Sequence, residues 1–234
     1  GTGSQIMQAQ RYRNGKITGI DLSLASLAYC QRKINELNLK NIELIQMDIL
    51  ESKLLNTEFN IIECGGVLHH MDDPEEGLKS LLIKLKHNGY MKIALYSKLG
   101  RLDIAKAEEF INRNKLNSTK NNIKNFRDKV ISGNFPEISN IQQRGDFYST
   151  SECRDLCFHT KEHRFTIDKL NKILKTNKLQ FMGFLLNNQT KKKYKEYFPE
   201  DLSQTQLKNW AEFEKMYPNT FRGMYQFWIR KSGH

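Results

Sequence analysis

The chain has 234 residues, 38% of them hydrophobic, with 37 Lys and Arg against 26 Asp and Glu and a formal net charge of +11. That length suits one domain with an elaborated insertion, and no apolar run approaches the roughly 20 residues a membrane-spanning helix needs. No signal peptide is visible, and the four cysteines (Cys30, Cys64, Cys153, Cys157) are too few for a disulfide framework, so a reducing cytoplasm is expected. The lysines are scattered apart from Lys191, Lys192 and Lys193, and no RNA-recognition or helix-turn-helix pattern accompanies them. The charge therefore identifies no nucleic-acid partner.

In chain order, Gly1-Thr2-Gly3 opens a turn, and residues 3–13 read as a helix that stops near Asn14-Gly15. A strand follows through Ile17, Gly19 and Ile20 to Asp21. The next helix runs from Leu24 to Leu37, with Leu27, Cys30, Ile34 and Leu37 on one face. A strand from Ile42 to Ile49 carries Asp48 near its end. Another, Phe59 to Cys64, leads into a loop holding Gly65, Gly66, His69 and His70. Asp72 or Asp73 then caps a helix with Pro74 in its first turn, a Leu78, Leu81, Leu82 and Leu85 stripe, and Gly89 as its stop.

Tyr90 to Ser97 is a further strand, with Tyr96 and Ser97 at its carboxyl end. Residues 98–163 loosen into helices rich in Lys and Asn. Thr166 to Lys175 is helical, aligned on Ile167, Leu170 and Leu174. Leu179 to Leu185 and Phe221 to Ile229 are the last strands. Between them come a basic loop and a helix with Leu207, Trp210 and Phe213, which together form a second insertion over 187–220.

Gly1-Thr2-Gly3, Asp21 after KITGI, Asp48-Ile49 after IELIQM, and VLHHMDDP at 67–74 occur in the order that resembles the class I S-adenosylmethionine-dependent methyltransferases. The last of these, with YMKIALYS at 90–97, resembles the module behind tetratricopeptide repeats in some bacterial proteins. The resemblance implies an α/β fold, a Rossmann-like sheet with helices on both faces and an antiparallel last strand. Residues 1–97 would form the cofactor-binding part, 98–163 a helical lid, and 164–234 the rest of the fold. Family members carry a first strand and G-x-G-x-G, whereas only Gly1-Thr2-Gly3 remains here. The expectation is a fragment cut by a gene break, an incomplete assembly or a cloning boundary, with the first strand missing.

The resemblance also implies S-adenosylmethionine as cofactor, held by Gly1, Gly3, Asp21, Leu22, Asp48, Ile49, Glu63, Cys64 and Gly65. Asp21, about 20 residues past the glycines, would accept from the ribose hydroxyls, although a helix-capping role is the plainer alternative. Asp48 would lie beside the adenine amino group, or simply end a strand. His69 and His70 are candidates for a catalytic base near neutral pH, or for shaping the loop.

Tyr96, Tyr148, Arg154, His159 and His163 would line the acceptor pocket, and Asp146-Phe147-Tyr148 would belong to its lid. Cys153-x3-Cys157-x-His159-x3-His163 invites a metal reading, but these residues crowd along one helix, and two small apolar side chains facing a core explain the cysteines better. No metal is expected. Transfer of a methyl group to a protein side chain or a small molecule is the expected function, with an upstream repeat region as a possible neighbour. The alternatives are a noncatalytic partner-binding fragment and, behind it, a nicotinamide-dependent reductase, which leaves the VLHHMDDP loop unexplained.

Overall fold

The computed structural model describes residues 9–12, 14–158 and 162–231. Gly1 and Gly3 fall outside them, and the described part of the helix expected over 3–13, Ala9–Tyr12, is a single 3-10 turn. Strand β1 (Ile17–Asp21) and strand β2 (Ile42–Gln46) form a parallel pair joined by helix α1 (Leu24–Glu36). Ser23 starts α1 by accepting the Ser26 N–H on its hydroxyl, and Leu27, Cys30 and Ile34 form the buried stripe. Leu37 was expected on that stripe but is exposed, because it is the residue at which the helix ends. Strand β2 stops at Gln46 rather than Ile49, since the Asp48 carboxylate accepts from Leu50 N–H and folds Ile49–Leu54 into a 3-10 turn.

Strand β3 (Phe59–Gly65), helix α2 (Pro74–Lys84) and strand β4 (Leu85–Leu95) follow. The Asp73 carboxylate caps α2 by accepting from Glu75 and Glu76 N–H. Replacing it with Ala is expected to cost about 1 kcal/mol, read as a lowered urea midpoint at unchanged slope. Gly89 does not close this helix. The chain passes straight from Lys84 into β4, and residues 86–89 bulge out between the Phe59–Leu85 and Ile61–Tyr90 pairings, with Asn88 at a φ of 59°.

Helix α3 (Leu102–Arg113), helix α4 (Lys120–Ile131) and helix α5 (Thr150–Cys157) lie within residues 98–163. They enclose their own core, built on Ile104, Phe126, Ile141, Phe147, Cys153 and Cys157. The two cysteines thus fill a core, as their spacing led one to expect. Helix α6 (Ile167–Thr176) and strand β5 (Leu179–Phe184) come next, then helix α7 (Asn188–Tyr197), helix α8 (Leu207–Met216) and strand β6 (Tyr225–Lys231). Lys191, Lys192 and Lys193 lie on α7, not in a loop, because Asn187 caps a helix that buries only Tyr194. Strand β6 starts at Tyr225, since Pro218–Phe221 is a 3-10 turn.

The second sheet has the order β3-β4-β6-β5, with β3 parallel to β4, and β6 antiparallel to both its neighbours. Strands β3, β4 and β5 therefore all point one way, and both insertions open from their carboxyl edge. Alternation along the strands turns Met91, Ile93, Phe181, Phe227 and Ile229 inward onto α2, α6 and α8. Arg144 ties residues 98–163 to the stretch just before β6 at that edge. It donates to Asp103, to the Gly100 carbonyl and to the Arg222 carbonyl. Among the described residues no helix is long and apolar enough to cross a membrane.

Candidate active site

In an open α/β sheet, ligands gather where strands end and loops begin. At the end of the first pair, the Met47 N–H donates to the Asp21 carbonyl at 3.1 Å, which sets Asp21 beside the turn that carries Asp48. Asp21 Oδ1 accepts from Ser23 N–H at 2.7 Å, and Asp48 Oδ1 accepts from Leu50 N–H at 2.9 Å. Each carboxylate is thus oriented by its own backbone. Leu22 beside them is exposed, and Ile49 is half-buried against the main core.

At the end of β3, Glu63 is held by three partners. The Tyr12 hydroxyl donates to Oε1 at 2.8 Å, Lys92 lies 3.3 Å from Oε2, and Arg11 lies 3.7 Å from Oε1. Burial, then the Glu63 carboxylate, raises the Tyr12 phenol above its ordinary pKa. Burial likewise pushes the Cys64 thiol up to about 12, so that side chain is a neutral core group. Gly66 has a φ of +78°, which favours glycine, and a Cβ built on it would meet nothing within 4 Å. The two oriented carboxylates at the end of the first strand pair suit a nucleoside cofactor, whose hydroxyls and amino group are donors.

The two histidines differ. His69 is fully buried, its ring 3.8 Å from Tyr96 and 4.3 Å from His70 between centroids. His70 is half-buried and meets the Tyr96 ring edge-on at 5.7 Å. His70 keeps part of its surface open to solvent, and His69 packs against it. Tyr96 is raised above its ordinary pKa by burial, against the opposing effect of Arg101, and stays a hydroxyl donor at neutral pH.

Of the other expected acceptor-pocket residues, His163 meets this loop through its backbone N–H, which donates to the His69 carbonyl at 2.8 Å. Tyr148 and Arg154 are exposed on the insertion, the Tyr148 hydroxyl donating to the Gln142 carbonyl. Phe147 belongs to the insertion core, and His159 lies outside the described residues. Among the described residues no group of His, Cys, Asp and Glu could hold a metal ion. Arg101, Glu162 and Lys92 are absent from the sequence-based expectation. Only the Lys92 position left a trace there, as the single charge in an otherwise apolar strand end.

A family model described as a methyltransferase domain matches residues 1–201. An uncharacterized protein of Synechococcus sp. is 29% identical over 183 residues, covering 73% of this chain and 43% of that one. Among solved structures, PKMT2 from Rickettsia typhi superposes with a TM-score of 0.69 at 16% identity over 98% of this chain and 46% of its own. The same protein in complex with AdoHcy gives 0.68 at 15% identity, over 97% and 46%. The cyclase SpnF gives 0.52 at 12% identity, over 100% and 73%. These likenesses carry the fold: a mixed α/β sheet with flanking helices. The chain spans less than half the length of the Synechococcus protein and of PKMT2.

Proposed function

Because the chain belongs to the methyltransferase-domain family, whose model matches residues 1–201, we propose that it transfers a methyl group from S-adenosylmethionine to a large acceptor such as a protein side chain. The observation that carries the reading is the placement of Asp21 and Asp48, each with one carboxylate oxygen fixed by a backbone N–H, at the ends of neighbouring parallel strands. When bound, S-adenosylmethionine supplies an electrophilic methyl group on a sulfonium.

The residues then have separate tasks. Asp21 accepts from ribose hydroxyls and Asp48 from the adenine amino group. The backbone at Gly65 and Gly66 lies along the methionine end. Glu63, held by Tyr12, Lys92 and Arg11, fixes the end of β3 rather than reaching out itself. On the acceptor side the Tyr96 hydroxyl donates a hydrogen bond, and His70 takes the proton that an amine or hydroxyl acceptor must lose. Excluding water and aligning the acceptor supply most of the rate gain in such a displacement. Two insertions at one sheet edge support a large acceptor, and an upstream repeat region on the full-length protein would present it.

A noncatalytic partner-binding module is the second reading. It is favoured by the burial of His69 and by the full engagement of Glu63. Calorimetric titration with S-adenosylhomocysteine separates the two. The enzyme reading expects binding that Asp21→Ala weakens roughly tenfold, about 1.4 kcal/mol, without loss of fold. No binding by the unaltered chain would leave the module.

A further inference from the structure

The insertion over 98–163 leaves and rejoins the sheet at a single neck, and the neck grips the loop with the two histidines. Lys98 N–H donates to the Phe165 carbonyl at 2.7 Å, Phe165 N–H to the Tyr96 carbonyl at 2.8 Å, and His163 N–H to the His69 carbonyl at 2.8 Å. Across the neck, Arg101 donates to both carboxylate oxygens of Glu162, at 2.9 and 2.7 Å. Both side chains are 4% exposed. Glu162 also accepts from Arg164 Nε at 2.7 Å, and Arg164 pairs in turn with Glu108 on α3.

The guanidinium carbon of Arg101 stands 3.6 Å over the Tyr96 ring centroid. The His69 ring centroid stands 3.8 Å from the same point, tilted by 35°. Two groups at van der Waals stacking height over one ring centre would overlap if they shared a face. They must therefore lie on opposite faces, so that Tyr96 is sandwiched between Arg101 and His69, with His70 beside both rings, 4.3 Å from His69 and edge-on to Tyr96. A buried ion pair gives little net stability over apolar residues of the same size. What a two-point fork does give is a fixed guanidinium plane, which a lysine cannot supply.

We infer that Arg101 and Glu162 are positioning residues: their pairing sets the plane of the Tyr96 ring, and through it the orientation of His69 and His70 at the acceptor side. This rests on the methyl-transfer reading for its purpose, though not for its geometry. It makes the seating of the insertion and the aim of the histidine loop one event.

The test is histidine-labelled NMR on the full 234-residue chain, at about pH 8 so that unperturbed imidazoles are neutral. His69→Gln and His70→Gln assign the two signals. In the unaltered protein the His69 ring proton is shifted upfield by the Tyr96 ring current, and Tyr96→Leu removes that shift.

Arg101→Lys, which keeps the charge and loses the plane, is expected to remove at least half of the shift. The paired variant Arg101→Met with Glu162→Gln, which strands no charge at Arg101, is expected to do the same while folding normally. An unchanged His69 signal in either folded variant overturns the inference. Unfolding of both variants assigns the pair to stability and overturns it too. S-adenosylhomocysteine titrated into the unaltered chain answers separately: absence of binding removes the methyl-transfer reading while the His69 signature stands.

Discussion

Trp210→Ala is expected to lower stability by about 3–5 kcal/mol, the range for removing a buried Trp from a packed core. Trp210 is 1% exposed and stacks on Tyr194 at 3.8 Å with an interplanar angle of 18°. Phe184, Phe213 and Phe221 pack around it, and its indole N–H donates to the Gln204 carbonyl at 2.8 Å. The loss thus combines a large cavity, several aromatic contacts and an orphaned carbonyl. These partners come from β5, α7, α8 and the turn before β6, so the second insertion loses its attachment to the sheet. Thermal unfolding reads it, at roughly 2–4 °C per kcal/mol for a chain of this size. A drop of only a few degrees would mean that the neighbouring rings close over the gap.

Tyr225→Phe is expected to cost about 2–3 kcal/mol at neutral pH and less in acid. The Tyr225 hydroxyl donates to both Glu214 oxygens, at 2.8 and 2.6 Å, and Ser97 donates to Oε1 at 2.5 Å. Glu214 is buried and accepts from two hydroxyls, those of Ser97 and Tyr225. Burial raises its pKa above the ordinary 4.5, and the Ser97 and Tyr225 hydroxyls pull it back only in part. A hydrogen bond to a buried charge contributes about 1.5–3 kcal/mol.

The sign of the pH effect follows from the raised value. Between the ordinary carboxylate pKa and the folded one, the native protein holds a proton that the unfolded chain has released. The stabilisation from that proton is complete below the unfolded pKa and is lost as pH rises through the folded one, with a slope of at most about 1.4 kcal/mol per pH unit. Without the Tyr225 hydroxyl the folded pKa rises further, so Tyr225→Phe extends the declining slope to higher pH. Urea unfolding across the acid-to-neutral range, compared between the two proteins, tests this. Parallel curves would rule out Glu214 as the source.

The frame of the fold was readable wherever local chemistry and tertiary packing ask for the same thing. Asp73-Pro74 marks a helix start by capping and by a fixed φ, and the helix is there. The period of Ile167, Leu170 and Leu174 matches a face that the core buries. The carboxyl ends of the first four strands were placed to within three residues, which brought Asp21, Asp48 and Glu63 into view.

What stayed hidden depends on contacts between distant segments. Arg101 and Glu162 are 61 positions apart, and neither sits in a pattern that pairs them. The start of β4 was hidden because Lys86 to Gly89 bulge from the ladder and imitate a helix stop. Helix α7 was hidden because one buried side chain, Tyr194, gives no period. The burial of His69 was equally illegible, since adjacent histidines look alike until Tyr96 covers one of them.

The neck at Lys98 and Phe165 bears on how this chain can vary. The backbone leaves β4 and returns to α6 through points joined by a 2.7 Å hydrogen bond and a parallel Ser97–Phe165 bridge. The helical segment between them has a core of its own. Lengthening such a loop costs only about 0.6 kcal/mol per doubling. A recombined or inherited replacement of that cassette can therefore change what is recognised while the strands below keep their places, provided it brings its own Arg101 and Glu162.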